Sequence, residues 1–534
     1  MWMDEDEGPS TADVGRFIPI SELLEWHRKM QQRFPQIFTP DDKLFGNHDR
    51  QHTMGTKLLA HFDDDPSKPM RCVVKGSRWN EEHGNKEPMY VILINGELSQ
   101  IALTSAHEDG GWEIEKKNIA SAKNSATTTI SSSLSLILIS STIVILLSVC
   151  INIKTPISPS PPTSKIPNVM LPSPNENDPL LFAEHLFYNE LLAPEDGIQL
   201  NNNEEKNSNE WIFGLANGNL VKVDMSTLQM TKFAQTGNNH EECGELFKEE
   251  YCGRPLGLLL LPTEDYPIYI KYVPKNKIQN DDVTPFFLVA DAYKGLLLVL
   301  SNGSIITLVS SINKQDLHLT NALARDKNGK IYISDSSSRF RRNRIMLDVL
   351  ESQPNGRIVV WDPHTGDSKV LIDELHMPNG IVLVNNDKRL LIASTTRNQI
   401  VQLDLTADDA KPQSFSDLPG FPDNIHLSYM KEWKKSILWV GLSSKATIIT
   451  KIIHSSPQLR KLLAMLPYDM LMKCFKKNGL IVAIDLNTGD IIKSYQDHTG
   501  RTPYISGIVF DNDYGYIGSW KNPFLGRIKR EDLL

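Results

Sequence analysis

The stretch LPGFPDNIHLS at Leu418–Ser428 sets a carboxylate beside an amide, Asp423 and Asn424, at the entry to a run that reads as a β-strand. The placement recurs. A signature of a small residue, then Ile or Leu, then further β-favouring residues returns six times, as EDGIQL at Glu195, PLGLLL at Pro255, TNALAR at Thr320, PNGIVL at Pro378, PDNIHL at Pro422 and ISGIVF at Ile505. At its start stand Glu195 with Asp196, Asn321, Asn379, and Asp423 with Asn424, all of which offer side-chain oxygens. A turn explains any one of them, because Asn and Asp favour turns. Turns explain less well why four of six copies carry acids or amides at this place, the other two offering Leu256 and Ser506. Brought together, these residues form a hard, oxygen-only donor set suited to Ca²⁺ with waters completing the shell. No His or Cys occupies the positions, which disfavours zinc and copper.

The elements that must position them follow from the repeat. In most copies a second β-rich run follows the signature, such as WIFGLANGNLVKVD or FFLVADAYKGLLLVL, and turn signals such as DKNGK, NNDKR and NTGD separate the strands. Six multi-strand units without alternating helices point to radial repetition, an all-β, six-bladed β-propeller over 181–534. Each inner strand of a propeller starts at the mouth of the central tunnel, so the six positions would converge on the axis.

Composition sets the remaining bounds. The 534-residue chain carries a formal net charge of −9, with no basic footprint for nucleic acid. No charged residue occurs from Asn124 to Ile153, and SLSLILISSTIVILLSVCINI is long enough to cross a hydrocarbon core at about 1.5 Å per residue. A single transmembrane helix is expected over 130–153. Lys116, Lys117 and Lys123 precede it and Lys154 alone follows closely, favouring a cytosolic N-terminus and type II topology. Residues 1–123 then form a small cytosolic segment of unassigned fold, with helical spacing at Ile20–Phe34 and a strand at Pro88–Gly96. Residues 154–180 read as an extended stalk, since Thr155–Pro179 holds eight prolines. Asn302-Gly-Ser304 is a glycosylation sequon in the part expected to be lumenal or extracellular, at the endoplasmic reticulum or the plasma membrane.

The words CGRPLGLLLL, VADAYKGLLLV, KIYISDSSSRF, MPNGIVL and LPGFPDNI, in this order, resemble the strictosidine synthase-like propellers, relatives of the paraoxonase and gluconolactonase group. The resemblance runs from about Pro194 to Phe524. It implies calcium ligands at Glu195, Asn321, Asn379, Asp423 and Asn424, and a disulfide between Cys243 and Cys252. Departures are equally informative. Leu256 and Ala292 stand where paraoxonase-like hydrolases carry a histidine pair, and Gly507 stands where strictosidine synthases carry a glutamate, which argues against alkaloid condensation. Ala322 replaces an aspartate common in the group, leaving Asp196 short of a companion for a second calcium.

Two functions are compatible with these residues. One is a membrane-anchored, calcium-dependent hydrolase of esterase or lactonase type, arylesterase-like, acting on a hydrophobic ester, with Asp423 as ligand, nucleophile or base. The other is a non-catalytic, calcium-stabilised propeller that binds a protein or lipid partner. His426 is a candidate proton shuttle or a packed strand residue, and Asp291 and Asp335 read as inter-blade or turn acceptors. The segment Ser455–Lys477 is a basic, amphipathic insertion whose Leu462, Leu463, Leu466, Met470 and Leu471 would cap the pocket or meet a membrane surface.

Overall fold

The computed structural model describes the backbone of five N-terminal strands between Lys57 and Lys116, and residues 155–534 apart from 162–165, 201–208, 279–282, 408 and 473–476. The expected transmembrane helix at 130–153, the helical spacing at Ile20–Phe34, Cys150 and Cys474 lie outside these residues. Among the described residues, no helix is long and apolar enough to cross a membrane. The chain divides into two compact units, 1–135 and 136–534. In the first, strands Lys57–Ala60, Met70–Asn80, Glu87–Ile94, Glu97–Thr104 and Glu113–Lys116 form an antiparallel sheet in chain order. The strand expected at Pro88–Gly96 is its third member.

The second unit contains six four-stranded antiparallel sheets, the blades of a β-propeller. Their inner strands are Gly197–Gln199, Pro255–Leu260, Thr320–Arg325, Pro378–Val384, Gly420–Met430 and Ile505–Phe510, so every signature copy opens an inner strand. Neighbouring inner strands pack side by side around the axis. Sequence pattern follows position in the blade. GLLLVL at Gly295–Leu300, sandwiched between blades, is buried at every residue, whereas in the outer strand Gln229–Gln235 only Ala234 is buried. The core therefore lies between blades, with Trp361 against Tyr269 and Tyr272, and Trp439 against Tyr495 and Phe510.

The ring closes with chain from its own beginning. Glu184–Leu186 pairs with Leu525–Lys529 as the outer strand of the last blade. Just upstream, Leu180 is fully buried among Met430, Trp439, Tyr495 and Ile508, and Asp178 accepts a 2.7 Å hydrogen bond from the Gln496 amide. Thr155–Pro161 and Ile166–Asp178 contain no helix or strand, yet Ile157 and Ile166 are buried. A disulfide joins Cys243 to Cys252 in the connection between the first and second blades, and Asn302 lies in an exposed turn of the second.

Four short helices cover one mouth of the tunnel: α1 (Ile345–Glu351) from the third blade, and α2 (Ile448–Ser455), α3 (Pro457–Leu463) and α4 (Tyr468–Met472) from the fifth. Gly420 pairs with Lys445, so the fifth-blade insertion leaves from the end at which the inner strand begins. Of the expected capping residues, Leu463, Leu466 and Leu471 pack inward with Ile157, Met346 and Tyr504. Leu462 and Met470 face out.

Because Leu180 fastens the closing segment, Leu180→Ala should cost about 2–5 kcal/mol in denaturant unfolding. A loss below about 0.5 kcal/mol would show that closure does not depend on this contact.

Candidate metal centre

Inner-strand pairing breaks at the signature itself. Register slips between Pro255 and Gly257, Thr320 and Leu323, Pro378 and Ile381, Pro422 and Ile425, and Ile505 and Ile508. A β-bulge bends the strand and re-aims its extra residue. The residues within these bulges include Asn321, Asn379, Asp423 and Asn424, and the local irregularity brings the first three to one cavity while Asn424 turns elsewhere. Close approach of the strands demands small partners: a Cβ at Gly380 would lie 2.4 Å from the Ile425 nitrogen.

Glu195, Asn321, Asn379 and Asp423 line one cavity of about 100 Å³, and each is at most 5% exposed. The Asn379 amide donates to Asp423 Oδ1 at 2.6 Å, and the Asn321 amide donates to Ser336 Oγ at 3.1 Å. The side-chain oxygens Oδ1 of both asparagines are buried and, among the described residues, accept no hydrogen bond. Burial, and secondarily the neighbouring Glu195 carboxylate, hold the Asp423 carboxyl well above the usual carboxylate range. Two buried, unpartnered acceptor oxygens beside two carboxylates fit a hard cation such as Ca²⁺. Among the described residues no three His, Cys, Asp or Glu side chains form a metal-binding cluster; this set relies on amides beside its two acids. Asn424 stands apart from the other four, donating its amide to the Glu195 backbone carbonyl at 3.3 Å from outside the cavity lining.

A buried charge network adjoins the set. Arg254 Nη2 lies 2.5 Å from Glu195 Oε2, Arg342 Nη1 lies 2.5 Å from Glu249 Oε1, and Tyr293 donates its hydroxyl to Glu249 at 3.1 Å. Arg342 also stands 3.8 Å from Glu195. The two arginines offset the two glutamates, so a dication joining an ionised Asp423 would leave a net single positive charge. The sequence signals for this network are weak: Arg342 sits in the basic run RFRRNR, Glu249 in an acidic loop, and only Arg254, a charge directly before an apolar inner strand, invites notice. The disulfided Cys252 lies two residues before Arg254 and three after Glu249, in the connection that delivers both.

The cavity walls are otherwise largely apolar, with Leu256, Leu319, Ile345, Met346, Phe421 and Met472 among them. Leu256 and Ala292 are buried against Tyr293 and Leu319, and among the described residues no histidine lines the cavity. His426 instead lines a different cavity with Gly197, Gln199 and Trp211, its Nε2 3.3 Å from Asp196 Oδ1. Asp196 also accepts from the Gly197 and Leu258 amides. Asp291 and Asp335 serve the frame: the first accepts from the backbone amides of Arg254, Tyr293 and Lys294, the second from the Leu319 amide and the Arg357 guanidinium.

Fold and site together define a six-bladed β-propeller with an oxygen-donor cluster in an axial cavity. A family model described as strictosidine synthase matches residues 321–406. A chicken (Gallus gallus) protein named adipocyte plasma membrane-associated protein is 30% identical over 402 residues, covering 73% of this chain and 88% of its own. The Arabidopsis thaliana protein strictosidine synthase-like 10 is 31% identical over 324 residues, covering 59% of this chain and 80% of its own. A gluconolactonase structure from Xanthomonas campestris superposes with a TM-score of 0.42 at 11% identity, over 69% of this chain and 98% of that one. The chain belongs to the strictosidine synthase-like family that includes the adipocyte plasma membrane-associated proteins.

Removing one partner of a buried charge pair strands the other. Arg254→Met should therefore cost about 3–5 kcal/mol in denaturant unfolding, and adding Glu195→Leu should recover part of the loss. Strictly additive losses would mean that the two side chains are not coupled.

Proposed function

We propose that the chain is a membrane-anchored, calcium-dependent hydrolase of esterase or lactonase type, arylesterase-like, acting on a hydrophobic ester. One observation carries the reading: the unpartnered carbonyl oxygens of Asn321 and Asn379 meet the carboxylates of Glu195 and Asp423 at the base of an apolar cavity. Bound there, Ca²⁺ would supply Lewis acidity towards an ester or lactone carbonyl oxygen. The chain's own contributions are distinct. Leu256, Leu319, Met346 and Phe421 bind the apolar part of the substrate and exclude water. Asn379 holds Asp423, whose carboxylate is the acid in this cavity free of an arginine contact and so the candidate base or nucleophile. Arg342, on the cavity wall, adds positive potential where negative charge develops.

The membrane assignment draws on the uncharged run 124–153 and on the relatives' name, plasma membrane-associated protein. A single-pass type II topology would place the propeller in the endoplasmic reticulum lumen or outside the cell. Such a compartment permits the Cys243–Cys252 disulfide and glycosylation at the exposed Asn302. A second reading, a non-catalytic propeller that uses calcium for rigidity and binds a protein or lipid partner, is favoured by the hold of Arg254 on Glu195 and by a cavity lining in which, among the described residues, no histidine stands.

Hydrolysis of phenyl acetate by the detergent-solubilised full chain separates the two. Chelation of calcium, Asp423→Ala and Asn379→Ala should each lower kcat/KM by about a hundredfold or more. A folded, calcium-loaded protein without turnover would leave the non-catalytic reading standing.

A further inference from the structure

The cap helices carry an apolar surface on their outer side. Ile448, Ile449 and Ile452 of α2 are 77%, 59% and 54% exposed, and Leu462 at the end of α3 and Met465 just beyond it are 46% and 49% exposed. Isolated exposed apolar residues are ordinary, but five on one short insertion form a patch of the kind that meets a partner or a membrane. Thr447 caps α2, so Ile448, Ile449 and Ile452 are displayed on formed helix, while its fourth isoleucine, Ile453, packs inward. The same insertion carries Lys461 and Lys477, beside Lys451, which donates to Asn168 Oδ1 at 2.7 Å, against a single acid, Asp469, a balance suited to anionic headgroups.

The path of the chain identifies what covers the patch. The uncharged run ends at Ile153, and Ile157, four residues later, is 2% exposed, packed against Ala464, Leu471 and Met472 of the cap. Ser158 donates its amide to Glu351 Oε1 at 2.6 Å, Ser160 donates its amide to the Glu351 carbonyl, and Arg460 donates to the Ser160 carbonyl. Four residues span at most about 14 Å. The polar zone on each side of a hydrocarbon core is roughly 5–8 Å deep. If the run crosses a bilayer, its end cannot lie farther than that from the cap, and no free stalk remains to hold the propeller away.

We infer that the outer face of α2 and α3 is a docking surface for the lipid bilayer, which the propeller meets cap-first with its metal centre turned towards the membrane. The inference rests on the membrane-anchored reading and adds a route for substrate. A small apolar cavity lined by Thr450, Ile453, Leu463 and Leu471 shares Met346, Val349 and Phe421 with the cavity over the oxygen cluster. The two cavities thus abut through shared apolar wall residues beneath the cap helices, the side from which a hydrophobic ester dissolved in lipid would approach.

The test places an environment-sensitive NBD fluorophore on the full chain at Ile449→Cys, with Cys72, Cys150 and Cys474 replaced by Ser. A second protein carries it at Glu432→Cys, in the exposed turn at the far end of the fifth-blade strands, about 35 Å along the strand. Both are reconstituted into phosphatidylcholine–phosphatidylserine vesicles containing doxyl-labelled quencher lipid. The label at 449 should shift to the blue and lose at least half its emission to the quencher, while the label at 432 stays unquenched. Protein that floats with the vesicles but shows an unquenched label at 449 would overturn docking and leave the anchor intact. A label shielded without lipid quenching would also overturn it, pointing to a protein occupant. A chain that does not float with vesicles would remove the anchor and the docking surface together.

Discussion

Glu195 is where the constraints on this propeller meet. Its carboxylate is clamped by Arg254, which is itself wholly buried in front of the second blade. Its backbone carbonyl accepts from Ser506 of the sixth blade at 2.6 Å and from Asn424 of the fifth. One residue at the entry to the first blade therefore ties the ends of the ring together and faces the axial cavity. An ion taken out of water loses several kcal/mol of hydration, so the pair persists only because the surrounding network completes it. Arg342, Glu249 and Tyr293 supply that completion, and the Cys243–Cys252 bridge restrains the segment that delivers Arg254 and Glu249.

The same arrangement bears on any metal. A carboxylate already held by a guanidinium is a weaker partner for a cation than a free one, whereas the Asn321 and Asn379 oxygens and Asp423 have no such competitor. Calcium binding would lean on the bulged positions of the third, fourth and fifth blades, with Glu195 sharing its charge between the ion and Arg254. The added positive charge of a dication beside Arg254 and Arg342 favours a ligand that carries, or develops, negative charge on oxygen.

Much of this was legible in the sequence because a propeller writes its geometry as a repeat. The signature reports where each inner strand starts, and that start is the tunnel mouth, so the meeting of PNG at Asn379 and PDN at Asp423 in one cavity was legible from residue order alone. The bulge that turns Asn424 away from the cavity was not legible, since it depends on strand pairing rather than residue type. Nor was the charge network, because Arg342 in a run of arginines looks like a solvated loop until burial is known. The closing strand Glu184–Leu186 is too short for a periodic signal, and the outward turn of Leu462 depends on how α3 packs.

The most direct test of the account is calcium binding by the full chain, measured by isothermal titration calorimetry beside Asn379→Ala and Asp423→Asn proteins of confirmed fold. One site per chain in the parent, weakened at least about tenfold in both variants, is the expected result. A folded parent that takes up no calcium, or binding unchanged by both substitutions, would contradict a metal centre at the tunnel mouth.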